Sequence, residues 1–376
     1  MHVGYTGGFQ NPGNRLTDAQ VYEDELRITD TAVELGFDSL WTVEHHFTDY
    51  FLSPDPVQYL TWMGARHPGV RLGTGVVVLP WHEPVRCAEQ IVMLDNLSGG
   101  RLILGLGRGL GRTEYDGFRV PMENSRDRFV AYAEMILRGL ETGILEADNE
   151  FIVQPPVEIR PRPQHSFAGR VYVAAMSPDA MPLIARLGLG LLIVPQKPWH
   201  IVAAELGAYR DAWAEEHGTG REPPAPLCAG NIVVDADAAR VEELAYRYIG
   251  AYYHTVIEHY GFAEGAHKGL SGYEFYASIT NYIDKRGTDT AVADYVNLMP
   301  WGTPEQVIEK IQRLTDFLGI AAFNPSFNFG GMPPDVAETS LRLFGTEVLP
   351  EVHRWDAPPI PEGMVIPEST AYARTP

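Results

Sequence analysis

The stretch R-L-G-T-G-V-V-V-L-P-W-H-E-P-V-R-C-A-E-Q-I-V-M-L-D-N-L, Arg71 to Leu97, changes its period half-way. Its first part ends in the unbroken apolar run V-V-V-L, Val76 to Leu79, and its second, from Pro84, is patterned as a helix. A strand apolar on both faces belongs to a parallel sheet covered by helices, whereas a half-exposed strand alternates. The run L-L-I-V, Leu191 to Val194, repeats the signature. Reading outward, strands are expected at His2–Thr6, Ser39–Val43, Arg71–Leu79, Leu102–Gly107, Val171–Ala175, Leu191–Val194, Pro226–Val234 and Ile320–Phe327. Helical segments start near Asp18, Pro56, Pro84, Arg126, Pro178, Pro198, Asp237 and Pro304, with a last one from Pro334 to Leu349. Proline suits the first helical turn, where its missing N–H has no partner to lose. Strand and helix alternating eight times in one chain predict an α/β fold of the (β/α)8 TIM-barrel type with insertions, rather than a doubly wound sheet.

No linker divides the chain, so residues 1–355 are expected to form one barrel domain, and 356–376, rich in proline, an extended arm or disordered end. Three connections exceed ordinary length: Gly109 to Ser125, Asp148 to Gly169, and the polar, glycine-punctuated Gly261 to Pro300. Loops of that length are commonly functional.

A formal net charge of -20 repels polyphosphate, so neither nucleic acid nor an anionic membrane is an expected partner. The two cysteines, Cys87 and Cys228, have no metal spacing and read as reduced thiols. No apolar run approaches a membrane span and the first ten residues show no targeting pattern, which makes the cytoplasm the expected location. The helix from Pro84 to Leu97 carries four consecutive apolar residues, Ile91 to Leu94, more than one buried face requires. Its extra face suggests a partner subunit or, equally, a cover supplied by its own chain.

In a barrel the chemistry gathers at the C-terminal ends of the strands. The segment V-E-H-H-F-T-D-Y, Val43 to Tyr50, puts Glu44, His45 and His46 at such an end. Adjacent side chains leaving a strand point opposite ways, so one histidine faces the barrel mouth and the other packs or bonds beside it. No third ligand accompanies them at metal spacing, and His254, Glu258 and His259 have the wrong offset for H-E-x-x-H, so no metal is expected and that trio reads as a solvated helix face. The run G-L-G-R-G-L-G, Gly105 to Gly111, lacks the last glycine of a dinucleotide fingerprint. What remains is Arg108 between residues without side chains, an arrangement that admits an anion to guanidinium and backbone together. Ser125 and Arg126 open one helix, and M-S-P-D, Met176 to Asp179, opens another. With Arg108 these outline a phosphate pocket on one rim, although Ser177 equally suits an N-cap.

These residues resemble the flavin-dependent luciferase-like monooxygenases, and within them the catalytic (alpha) subunit of bacterial luciferase. The resemblance is carried by E-H-H-F-T-D, by L-P-x-x-x-P-V-R (Leu79 to Arg86), L-S-G-G-R-L (Leu97 to Leu102), G-R-G-L (Gly107 to Leu110), N-S-R (Asn124 to Arg126), E-A-D-N-E (Glu146 to Glu150) and W-G-T-P-E-Q (Trp301 to Gln306). It implies a barrel that binds reduced FMN, forms a C4a-hydroperoxide with molecular oxygen and oxygenates a small, largely apolar substrate. It further implies His45 as the catalytic histidine and Glu44, Gly75, Val76, Gly107, Arg108, Arg126, Met176 and Ser177 around the cofactor, with a cis bond between Gly75 and Val76 beneath the flavin. His46, Val194, Gln196, Trp199, Lys285 and Arg286 are then expected in the substrate pocket or in the lid formed by 261–300. A separate flavin reductase and a homodimer or heterodimer with a related subunit complete the expectation. Gly107 replaces the reactive cysteine of luciferase and is expected to open room beside the flavin; Met176 and Ala180 replace polar residues near the phosphate. Two other readings stand beside this one: an F420-dependent oxidoreductase on the same barrel, and a non-catalytic flavin-binding partner subunit.

Overall fold

The computed structural model describes residues 1–367 other than Met176 and Ser271. The chain begins with β1 (His2–Gly7) and α1 (Asp18–Glu34), the latter opened by a capping box between Thr17 and Gln20. β2 (Ser39–Thr42) leads to α2 (Pro56–Arg66), whose first turn is capped by Asp55. β3 (Arg71–Thr74) and β4 (Val77–Val78) precede α3 (Pro84–Ser98), which ends on Gly99 in the left-handed conformation. β5 (Leu102–Gly107), α4 (Arg112–Phe118) and α5 (Ser125–Thr142) follow. An antiparallel hairpin, β6 (Ile144–Asp148) and β7 (Val153–Glu158), then stands outside the main sheet. β8 (Val171–Ala174), α6 (Met181–Arg186), β9 (Gly190–Ile193), α7 (Trp199–His217), β10 (Leu227–Asn231) and α8 (Ala238–His259) resume the alternation. α9 (Glu274–Arg286) and α10 (Thr288–Leu298) are inserted before α11 (Pro304–Leu318), β11 (Ala322–Ser326), α12 (Pro334–Leu343) and α13 (Leu349–Val352).

The strands pair in parallel in the order β3, β2, β1, β11, β10, β9, β8, β5, and the β3–β5 pairing closes the ring. β3 and β4 together make one stave, so the barrel has eight. The expected single strand Arg71–Leu79 is instead divided into β3 and β4, with a cis peptide between Gly75 and Val76 and Leu79 in the turn that follows. Apolar residues divide into two cores. Trp41, Ile103, Tyr172, Leu192, Leu227 and Ala322 fill the interior, while a larger cluster lies between strands and helices. Strands with both faces covered read as continuous apolar runs for this reason.

Residues 356–367 run without helix or strand apart from an isolated bridge at Val365. Ile360 joins the interior core, Arg71 donates to the carbonyl of Ile360 at 2.9 Å, and Val365 bridges to His165. Residues 368–376 of the expected tail lie outside the described residues. Nearby, Arg170, fully buried, binds Asp95 through both guanidinium branches at 2.6 and 2.9 Å and also donates to the carbonyl of Leu102.

The three long connections are more ordered than expected. Gly109 to Ser125 contains α4, Asp148 to Gly169 contains most of the hairpin, and Gly261 to Pro300 contains α9 and α10. In the last, Tyr276, Ile279 and Ile283 form a helical stripe that buries one face of α9. In α3, Ile91, Val92 and Leu94 are covered by the chain itself, while Met93 and Leu97, and Trp62 of α2, are exposed. Among the described residues no helix is long and apolar enough to cross a membrane.

Candidate active site

A cavity of about 260 Å³ opens at the C-terminal ends of the strands. Its wall on the β2–β5 side holds every charged lining residue: Glu44, His45, Arg108, Glu114 and Arg126. The two acids are buried and each is held by histidines. Glu44 accepts from the Val78 N–H at 2.8 Å and lies 2.8 Å from His82 Nε2 and 3.2 Å from His46 Nε2. Burial alone would raise its carboxyl, but the contacts with His46, His82 and Val78 outweigh it and hold the group below the usual carboxylate range. Glu44 thereby ties the end of β2 to β4.

Glu114, on α4, lies between two other imidazoles. Its Oε1 is 2.9 Å from His45 Nδ1 and accepts from the His46 N–H at 3.0 Å, while Oε2 is 3.5 Å from His259 Nε2. Burial pushes this carboxyl up, yet His45 and His259 overcome that effect and hold it at about 2. The His45 ring stacks on Phe51 at 5.4 Å and meets His259 edge-on at 5.0 Å. A buried carboxylate on Nδ1 fixes the ring and leaves Nε2 as the nitrogen for a ligand.

At the other end of this wall, Arg108 and Arg126 both donate to the carbonyl of Gly272, at 3.0 and 3.3 Å, and Arg108 sits 4.0 Å over the Tyr273 ring. Ser177 lines the cavity and makes no capping hydrogen bond, so its hydroxyl is free of the N-cap role considered for it.

The luciferase-like monooxygenase family model matches residues 1–319. The chain is a luciferase-like monooxygenase. It is therefore an oxidoreductase of the flavin-dependent, oxygen-using kind. It is 27% identical over 339 residues to the alkanal monooxygenase alpha chain of Photorhabdus luminescens, covering 89% of this chain and 93% of that one. The crystal structure of monooxygenase RslO1 from Streptomyces bottropensis superposes with a TM-score of 0.76 at 28% identity, over 94% of this chain and 100% of that one. An F420-dependent secondary alcohol dehydrogenase superposes with a TM-score of 0.66 at 16% identity, covering 93% and 98% of the two chains. That last likeness is one of fold alone.

In this monooxygenase the cavity brings together Glu44, His45, Gly75, Val76, Gly107, Arg108, Arg126, Ser177, Val194 and Gln196. Met176 lies outside the described residues. Four expected pocket residues are elsewhere. His46 turns away to Glu44 and packs edge-on against Phe118 at 4.6 Å, the supporting member of the pair. Trp199 opens α7, half-buried against the outer core, and Lys285 and Arg286 are exposed at the end of α9, because that segment is helix rather than loop. Gly107 opens no room: a Cβ there would lie 2.3 Å from Val76 Cγ2, so the valine fills the space. His259 does not belong to a solvated face. His254 and Glu258 are exposed, but the His259 side chain is 2% exposed and meets Glu114.

Sequence reasoning missed Glu114, His259 and the polar lining residues Thr6, Asn231, Asn324 and Ser326 on β1, β10 and β11. The last four had a signal, since a polar side chain inside or ending a buried strand requires a partner. Glu114 had none, because its contacts are formed only when α4 folds over β2.

Proposed function

We propose that this cavity binds FMN in its reduced form, received from a separate flavin reductase, and that the enzyme oxygenates a small, largely apolar organic molecule. The observation that carries the reading is His45, at the mouth of β2 with Nδ1 held 2.9 Å from the buried Glu114 carboxylate. The donor set suits the cofactor. Two guanidiniums and the Ser177 hydroxyl offer charge-assisted hydrogen bonds to a phosphate, while Gly75, Val76 and Gly107 offer a backbone wall for a flat ring system. A bound reduced flavin supplies the electrons that activate oxygen.

The remaining work belongs to the protein. Glu114 keeps the His45 proton on Nδ1, so Nε2 accepts a proton from a reacting group and the carboxylate stabilises the imidazolium that results. Tyr260, Phe262 and Tyr276 cover the cavity from the 260–270 turns and α9 and exclude water. The exposed Trp62, Met93 and Leu97 support assembly with a second subunit.

The test is product formation by His45→Ala supplied with preformed reduced FMN. Loss of product with reduced FMN still bound supports the role of His45, and full product yield removes it. An F420-dependent hydride transfer, the competing use of this barrel, would show substrate oxidation without oxygen.

A further inference from the structure

The wall formed by β1 and β9 to β11 is built differently. Thr6 on β1, Gln196 after β9, Asn231 on β10, and Asn324 and Ser326 on β11 bring only neutral hydrogen-bonding groups to the cavity. Asn324 is 2% exposed, and neither its Nδ2 nor its Oδ1 has a partner among the described residues. The Oε1 of Gln196 is buried and unpartnered among them as well. Asn231 is oriented by the Tyr295 hydroxyl, which donates to its Oδ1 at 3.0 Å. Asn324 is fixed by its strand and by a slot in which a Cβ on Gly4 would lie 2.4 Å from its Oδ1.

A buried amide with both ends unpaired costs stability, and such groups persist where a ligand or water completes them. An aliphatic chain would strand both ends of the Asn324 amide. A carboxylate would find no cation on this wall, and an ammonium no anion.

We propose that this wall is a recognition subsite for a neutral substrate bearing one group that both donates and accepts hydrogen bonds, a hydroxyl or an amide, on an apolar body. Asn324 is its centre and Gln196 its outer edge. The proposal rests on the reading of the cavity as a monooxygenase site and narrows its substrate class.

The test uses the full chain loaded with FMN and equilibrium dialysis at pH 7 against three probes of one shape: naphthalene, 2-naphthol and 2-naphthoate. The expected result is 2-naphthol at least about tenfold tighter than naphthalene, about 1.4 kcal/mol, with 2-naphthoate the weakest. Asn324→Leu should cut the naphthol advantage below about threefold while leaving naphthalene and FMN binding unchanged. Gln196→Met, at the rim, should reduce it in part and provides the test if the interior variant does not fold. Equal affinity for naphthol and naphthalene, naphthoate binding as tightly as naphthol, or a preference untouched by both substitutions would each overturn the proposal. The readout is binding, so the two ideas fail separately. A naphthol preference in a protein that does not take up FMN would sink the cofactor reading and leave the subsite standing. Normal FMN binding without the preference would sink the subsite alone.

Discussion

Replacing Arg108 by alanine separates the phosphate from the rest of a flavin. In the structure its guanidinium donates to the carbonyl of Gly272 at 3.0 Å and lies 4.0 Å over the Tyr273 ring, with Arg126 donating to the same carbonyl. These two cations are the positively charged lining residues of the cavity besides the titratable His45. A hydrogen bond to a charged group contributes about 1.5–3 kcal/mol, roughly a 10–150-fold change in affinity. Arg126 keeps part of the phosphate interaction, so a loss of about 10–50-fold in FMN affinity is expected. Riboflavin has the same ring system and no phosphate; its affinity should change by less than about threefold, the residue of a weakened contact with Tyr273. Anaerobic calorimetry with reduced FMN and reduced riboflavin, on wild type and Arg108→Ala, measures both. Raising the salt concentration should narrow the wild-type preference for FMN and leave riboflavin almost unaffected. Equal losses for the two ligands would refute the phosphate role and assign Arg108 to holding Gly272 and Tyr273.

Three further outcomes test the framework of the site. Gly107→Ala should cost about 1–3 kcal/mol by overpacking against Val76, and Val76→Ala in the same chain should recover most of it; additive losses in urea melts would contradict that contact. Asp95→Asn leaves the buried Arg170 without its anion and should destabilise by about 3–5 kcal/mol; a melting temperature within a degree of wild type would show that the backbone carbonyls suffice. Glu114 has a folded carboxyl at about 2 against an ordinary 4.5, so its contribution, of order 3 kcal/mol, is complete above about 4.5 and is lost as the pH falls toward 2. Glu114→Gln should therefore be less stable than wild type at pH 7, the gap closing between pH 4.5 and 2; a gap independent of pH would mean that the histidines do not hold the charge.

Much of the architecture was legible because a closed parallel barrel imposes its pattern locally. Val76 to Leu79 and Leu191 to Val194 read as doubly covered strands, and His45 and Arg108, singled out at strand ends, and Ser177, singled out at a helix start, line the cavity. Other residues depend on contacts that no local pattern contains. Lys285 and Arg286 were expected near the site from the resemblance of 261–300 to a mobile loop, and they stand exposed at the end of α9. His259 was assigned to a solvated face because its neighbours His254 and Glu258 are exposed, whereas its own burial depends on where α8 ends against α4. The space expected at Gly107 is taken by Val76, a contact between two strands that no local pattern contains.

The central claim is that the charged wall holds reduced FMN and lets it react with oxygen under the control of the protein. Stopped-flow absorbance, mixing the protein loaded anaerobically with reduced FMN against oxygenated buffer, tests it most directly. The expected trace shows an oxygen-dependent transient that outlasts the oxidation of free reduced FMN, and a shorter-lived transient in His45→Ala. Flavin oxidation at the rate of the free cofactor, with no transient in either protein, would contradict the account.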